Sequence, residues 1–366
     1  MRYDRDEACR AWLTRGYLRY GQLRALTERF DSAEEIYDTL MRSSAEFEEL
    51  LQPAQVLQLK RLGGRDSMHT MLVTMQKHDM HVMSMDDPIY PQRLLDISDP
   101  PVFLYWRGDP ECLRQRCVTI VGTRSATLDA LDATREIARS LSDSGVIVIS
   151  GMANGIDQAA HRGCLEGKSP TVGVLGTGLD VDYPAGAADL KRELLDRGGL
   201  LLSEYPPGAT ANKWTFPVRN RILSGLSAAT VMMECSIKSG SMSTVNHALN
   251  QGREVFAWPN RAGSPAAEGA HQLIREGARY FTTAQDILED MNWQDVKPLT
   301  PEQHAALPPM TPEQMTVYRR LLKGEQSLDE LAMATGMDSA ALSGTLTMLQ
   351  LMGVVRSLPG KLYRLV

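Results

Sequence analysis

The chain lacks the marks of several common protein classes, and each absence narrows the reading. No apolar run approaches the length of a membrane span, so no membrane association is expected. The opening MRYDRDEACR places charges where a signal peptide needs an apolar core; no export is expected, and the location expected is the cytoplasm. Five cysteines, Cys9, Cys112, Cys117, Cys164 and Cys235, form no C-x-x-C pair. An odd, scattered set fits free thiols in a reducing compartment and argues against a disulfide framework or a zinc site. No G-x-G-x-x-G follows the first strand of the middle segment, and no acidic residue sits suitably beyond it. G-x-x-x-x-G-K-[ST], H-E-x-x-H and G-x-S-x-G are missing as well. No cofactor and no metal are therefore expected. Positive charge is not in excess either: 39 Lys and Arg stand against 45 Asp and Glu, a net charge of −6. That balance argues mildly against nucleic acid, whose partners are often basic. Charge is uneven, however, and residues 112–282 carry 18 Lys and Arg against 16 Asp and Glu. A local basic groove fits within an acidic chain.

What is present has three parts. At 366 residues, two or three domains are expected. Residues 1–63 read as a small bundle of helical hairpins, with apolar residues at helical spacing, a break near Gly21, and Ser32 and Glu35 spaced as a capping box. Residues 64–291 alternate short apolar runs with helical stretches. VTIVG (118–122), VIVIS (146–150), TVGVLG (171–176), LLLSE (200–204), ATVMME (229–234) and EVFAWP (254–259) read as buried strands, with PVFLYW (101–106) as an additional one. Helices are expected over 127–143, 156–167, 188–197, 242–251 and 269–277. The fold class expected is α/β, a mostly parallel, extended Rossmann-like sheet covered on both faces. Residues 292–310 are proline-rich and polar and read as a linker. Residues 311–366 give three helices and a hairpin, the winged-helix pattern. Its would-be recognition helix, Asp338 to Gln350, has no Lys or Arg, so a protein contact is favoured there over base reading.

Four loops follow strands at the carboxyl end, where open α/β sheets place ligands. They are VGTRSA (121–126) with Gly122, Thr123 and Arg124; SGMANGID (150–157) with Ser150, Gly151, Met152 and Ala153; GTGLD (176–180); and KSGSMST (238–244) with Lys238, Ser239, Gly240, Ser241 and Thr244. Glycines after strands often serve only close helix packing, but four such loops converging on one sheet edge are stronger. His161 follows Asp157 by one helical turn; a buried hydrogen bond stapling that helix to its loop is favoured over a catalytic pair. Glu234 is expected to accept backbone N–H groups and fix its loop.

The stretch ANKWTFPVRNR (211–221) combines Lys213, Phe216, Arg219, Asn220 and Arg221. An aromatic among cations is the composition of a single-strand groove, with phosphates on the cations and bases on the ring. The alternative places Phe216 in the core and the arginines in ion pairs to Glu204 or Glu234. Pro217 biases Phe216 towards an extended conformation. Asn220 is a good N-cap. A helix starting there leaves Arg219 outside and Arg221 in its first turn, so one arginine is expected to meet the ligand and the other to be partly structural, without the sequence saying which.

Together these residues resemble the DprA/Smf family of bacterial DNA-processing proteins. The motifs that carry the resemblance are VGTR, SGMANGIDQAAH, VLGTGLDVDYP, SEYPPG, FPVRNRILSGLS, ECSIKSGSMST, and QGREVFAWP with EGAHQLIREGA, in order across about 100–282. The resemblance implies a Rossmann-like domain without nucleotide chemistry, single-stranded DNA binding, delivery of that DNA to the recombinase RecA in natural transformation, and a homodimer. It implies DNA contacts at Arg124, the Ser150–Ala153 turn, Lys213, Phe216 and Arg219 to Arg221, with the Lys238–Thr244 loop lining the same groove. Leu273, Ile274 and Tyr280 are expected on the dimer or partner surface. The chain departs from the family pattern at Thr123, Pro170, Cys235, Asn260 and Ala185, the last where a basic residue is common, so not every phosphate contact is expected. A rival class is a nucleotide-binding or phosphoribohydrolase-like Rossmann protein. Its P-G-G-x-G-T-x-x-E signature is absent where KSGSMST lies: His247 and Ala248 follow Thr244 in place of the glutamate.

Overall fold

In the computed structural model, which describes residues 3–261, 263–293, 310–321, 326–352, 354–358 and 362–365, the apolar runs of the middle segment become strands of one sheet. In chain order the elements are α1 (Arg5–Thr14), α2 (Tyr20–Arg29), α3 (Ala33–Arg42), α4 (Pro53–Leu62), α5 (Arg65–Lys77), β1 (His81–Ser84), α6 (Gln92–Leu95), β2 (Phe103–Gly108), β3 (Cys117–Val121), α7 (Leu128–Asp143), β4 (Ile147–Ser150), α8 (Ile156–Glu166), β5 (Thr171–Leu175), α9 (Ala188–Asp196), β6 (Leu200–Ser203), α10 (Thr215–Leu226), β7 (Ala229–Met232), α11 (Met242–Asn250), β8 (Glu254–Ala257), α12 (Glu268–Arg275), β9 (Arg279–Tyr280) and α13 (Ala284–Asp290). There follow α14 (Pro312–Leu321), β10 (Gln326–Ser327), α15 (Leu328–Thr335), α16 (Ser339–Leu351), β11 (Val355–Leu358) and β12 (Leu362–Leu365). The chain divides into two units, Met1–Met85 with Pro91–Pro298, and Asp86–Tyr90 with Leu299–Val366. Of the expected linker, 294–309 lies outside the described residues. Among the described residues, no helix is long and apolar enough to cross a membrane.

The nine-stranded sheet of the first unit runs β1-β2-β6-β5-β4-β3-β7-β8-β9. From β6 to β9 every neighbouring pair is parallel; β2 pairs antiparallel to β6, and β1 antiparallel to β2. Parallel strands buried on both faces need continuous apolar runs, which is why β3, β4 and β5 are buried at every residue. Later strands are added on one side of β3 as β4, β5 and β6, and on the other as β7, β8 and β9. The direction of growth therefore reverses between β3 and β7, which pair in register from Val118 with Ala229 to Val121 with Met232. Such a reversal opens a crevice at the carboxyl ends of the two strands.

On one face, Val118, Ile120, Val148, Val231 and Phe256 pack against Ile137 and Leu141 of α7, Ile156 and Ala160 of α8, and Ile287 of α13. Truncating one of these fully buried Ile or Phe side chains to Ala would cost about 2–5 kcal/mol. The N-terminal helices continue past residue 63, with α5 packed on α1 and α4. They join the sheet through Tyr105 of β2, whose hydroxyl donates to Ala11 O at 3.1 Å and lies 2.7 Å from Thr14 Oγ1. Two local expectations change. Gly21 lies in the first turn of α2, and the break falls earlier, at Tyr17, whose φ is 48°. Ser32 Oγ takes the Glu35 N–H, but the Glu35 carboxylate takes that of Asp31, so the expected capping box closes only on one side.

In the second unit, Val317, Leu321, Leu331, Leu342, Leu346, Leu349 and Val355 form the core. Ser327 and Glu330 make a reciprocal capping box at α15, and Gly336 ends it with a φ of 68°. Asp338 caps α16 by accepting the N–H groups of Ala340 and Ala341. The sheet β10-β12-β11 completes a winged helix.

Candidate nucleic-acid interface

The crevice between β3 and β7 holds a cavity of about 510 Å³, within the range of ligand sites. Of the residues singled out from the sequence, Gly122, Thr123 and Arg124 line it from the loop after β3, and Ala153 from the loop after β4. Lys213, Phe216, Arg219 and Asn220 line it from α10 and its approach. Ser239, Gly240 and Ser241 line it from the loop after β7, and Thr244 from the first turn of α11. Ser150, Gly151, Met152, Arg221 and Lys238 do not line it. Ser150 is buried, its Oγ donating to Ile120 O at 2.7 Å. Met152 is buried with a φ of 63°. Lys238 is exposed beside the cavity.

Helix α10 begins earlier than its sequence suggests. Asn212, not Asn220, satisfies its first N–H groups, its Oδ1 accepting from Trp214 at 2.8 Å and Thr215 at 3.2 Å. Pro217 then sits in the first turn, where its missing N–H is an orphan anyway. Phe216 is consequently helical rather than extended, and Arg219 and Arg221 both lie inside the helix. Asn220 instead ties α10 to the first turn of α11, its Nδ2 donating to Ser243 Oγ at 2.7 Å.

The two arginines leave the helix in different directions, as residues two apart must, but both are buried, at 4% and 5% exposure. Arg221 makes a bidentate pair with Glu204 at 2.7 and 2.9 Å and reaches the Asp99 carbonyl at 3.0 Å. Burial alone would lower its pKa; Glu204 and Asp99 outweigh that and hold it raised. Arg219 donates from Nη1 to Gly151 O at 2.9 Å and to Val174 O. It faces Asp157, whose Oδ2 accepts from Gly151 N at 3.1 Å and Ala153 N at 3.2 Å. Burial dominates for both partners. It pushes the Asp157 carboxyl up to about 6, against the pull of Arg219, and lowers the Arg219 guanidinium to about 10, against Asp157. Together they clamp the loop after β4. Gly151 is required there, because a Cβ would fall 2.5 Å from Arg219 Nη1 and 2.7 Å from Asp157 Oδ2.

Arg124 is the opposite case. It is exposed, and its guanidinium carbon lies 5.2 Å from the centroid of the Phe216 ring, a cation–π arrangement. Phe216 is half-buried, tilted against Tyr183 at 5.4 Å and seated over Gly176, where a Cβ would lie 3.0 Å from the ring. One ring thus carries the groove's exposed arginine. Lys213 is exposed too, with Nζ 5.0 Å from the Trp214 ring centroid. Trp214 is 70% exposed; sequence reasoning passed over it, although it stands between Lys213 and Phe216.

Other expectations resolve differently. Glu234 is buried and accepts from Thr127 N at 2.8 Å and Thr127 Oγ1 at 3.0 Å. It therefore fixes the loop after β3 rather than its own. His161 does not pair with Asp157: its Nδ1 lies 2.8 Å from Thr171 Oγ1, and burial lowers its pKa to about 3. Leu273 is buried in the core, leaving Ile274 half-buried and Tyr280 57% exposed on the surface.

Known proteins match this arrangement. The family model for DNA recombination-mediator protein A matches residues 81–292, and that for the DprA winged helix domain matches 301–361. Protein Smf of Escherichia coli K12 is 37% identical over 229 residues, 63% of this chain; the chain spans 61% of that relative's length. DNA processing protein DprA of Streptococcus pneumoniae R6 is 37% identical over 207 residues, covering 57% of this chain and 73% of its own. The X-ray structure of DprA from Streptococcus pneumoniae superposes with a TM-score of 0.67 at 31% identity, over 76% of this chain and 95% of that one. A DprA from Helicobacter pylori, described for its single-stranded DNA binding mode, gives 0.53 at 29% identity, over 58% and 95%. The first family match covers more than half the chain and every loop that builds the groove, and the chain belongs to the DprA/Smf family of DNA recombination-mediator proteins.

Proposed function

We propose that the groove binds single-stranded DNA and that the chain is a non-enzymatic DNA carrier. In this reading it works as a homodimer that protects incoming DNA in natural transformation and loads RecA onto it. The observation that carries the reading is the stacking of Arg124 on Phe216 at the switch-point crevice, with Lys213 on the same wall. Phosphates are held by exposed cations and by backbone N–H groups of the loops; bases meet aromatic rings. The DNA binding that gives the Helicobacter pylori relative its description supports the same use here. The dimer surface proposed is that of Ile274 and Tyr280, and the cation-free α16 is assigned a protein contact.

Hydrolysis of a nucleotide is the weaker reading. Asp157, the carboxylate among the residues lining the crevice, is committed to the loop after β4, and Glu234, just after β7, to Thr127. Affinity for an unstructured single strand, a duplex and a nucleoside monophosphate tests the choice. Preference for the single strand, weakening steeply with salt, is expected. Salt-independent binding of the mononucleotide alone would overturn the proposal.

A further inference from the structure

Trp214 is the large aromatic beside the groove that the fold does not use. Its backbone is held, because Asn212 Oδ1 accepts its N–H at 2.8 Å. Its ring is free, at 70% exposure, with Lys213 Nζ 5.0 Å from its centroid. Val218, one helical turn on along α10, is 46% exposed. Exposing so much of a tryptophan forgoes the burial that its large apolar area would supply. Phe216 differs: it is half-buried between Gly176 and Tyr183 and is covered by Arg124, so little of the ring is open to a base.

We infer that Trp214 is a base-stacking platform at the rim of the groove, holding one nucleobase of the strand whose adjacent phosphate lies on Lys213. This rests on the single-strand reading above and deepens it. The phosphates run along the groove past Arg124 and Lys213, and a base turns outward onto the indole. A fixed backbone and a rigid two-ring side chain keep the ordering cost low. Every base has a π-face, so the contact tolerates any sequence.

The test compares two strands in the full chain. One is a short oligothymidylate; the other has the same number of phosphates with abasic sites throughout. Trp214→Ala should weaken oligothymidylate binding about 5- to 140-fold, the range for one stacked base, and leave abasic binding unchanged. Trp214→Phe should recover most of the loss. Equal weakening on both strands would assign Trp214 a structural role and overturn the inference. So would no weakening on either, including the case where only self-association falls. Failure of the parent chain to bind the oligothymidylate at all would sink the single-strand reading instead.

Discussion

The loop after β3 and helix α10 supply facing walls of one groove, and they treat their arginines in opposite ways. The loop leaves Arg124 exposed, supported from below by the Phe216 ring. The helix turns Arg219 and Arg221 inward, onto the Gly151 and Val174 carbonyls and onto Glu204. An arginine bonded to carbonyls or to a carboxylate inside the fold fixes shape; one with donors in solvent can neutralise a phosphate. The three arginines of the VGTR and FPVRNR motifs therefore divide into one exposed group, proposed to meet the ligand, and two buried ones bonded within the fold.

Breaking the structural side should give the largest effect. Arg221→Ala removes a buried guanidinium and leaves the half-buried Glu204 without its partner, and a loss of about 2–3 kcal/mol is expected in chemical denaturation. Substituting Glu204→Gln as well should recover part of it; a strictly additive double variant would show that the two do not interact. Phe216→Ala should come next. It should weaken single-strand binding and lower the salt slope, because the ring is what Arg124 rests on. A variant with weaker binding and an unaltered slope would show that Arg124 holds its place without Phe216. Arg219→Lys keeps the charge but replaces the planar guanidinium with a shorter, more strongly hydrated ammonium. It should lower the melting temperature while the salt slope stays that of the parent; a reduced slope would make Arg219 a phosphate ligand.

A further effect concerns pH. Buried His161 is kept neutral in the fold, with its pKa lowered to about 3, whereas in the unfolded chain it takes up a proton near 6.5. Its contribution to stability is complete above about 6.5 and is lost as pH falls towards about 3. Asp157 works the other way, because its raised folded pKa of about 6 makes the fold gain stability relative to the unfolded chain as pH falls from 6 towards 4. The two oppose each other in that window. Comparing the parent with His161→Gln isolates the first: the stability of the parent relative to the variant should fall on acidification. A difference constant from pH 7 to pH 4 would contradict a neutral His161.

Much of this was legible in the sequence. The strands β3 to β8 follow from apolar runs punctuated by Gly and Ser, and the four loops from their position after those runs. What was not legible depends on contacts across the chain. Asn220 has the chemistry of an N-cap, but Asn212 is placed to do that work, and no local pattern ranks one above the other. Asp157 finds Arg219 and His161 finds Thr171 only once β4, β5 and α10 are brought together. The two-residue β9 lies at the sheet edge with both residues exposed, so it carries no apolar signature. Trp214 could be read as core or surface until its exposure was known.

The division between Arg124 and the buried arginines is tested most directly by the salt dependence of single-strand affinity in the parent and in Arg124→Ala. Each phosphate neutralised contributes about −0.7 to the log–log slope. The slope for Arg124→Ala should be shallower than that of the parent by about this amount; identical slopes would mean that Arg124 touches no phosphate and that the groove is not used as described.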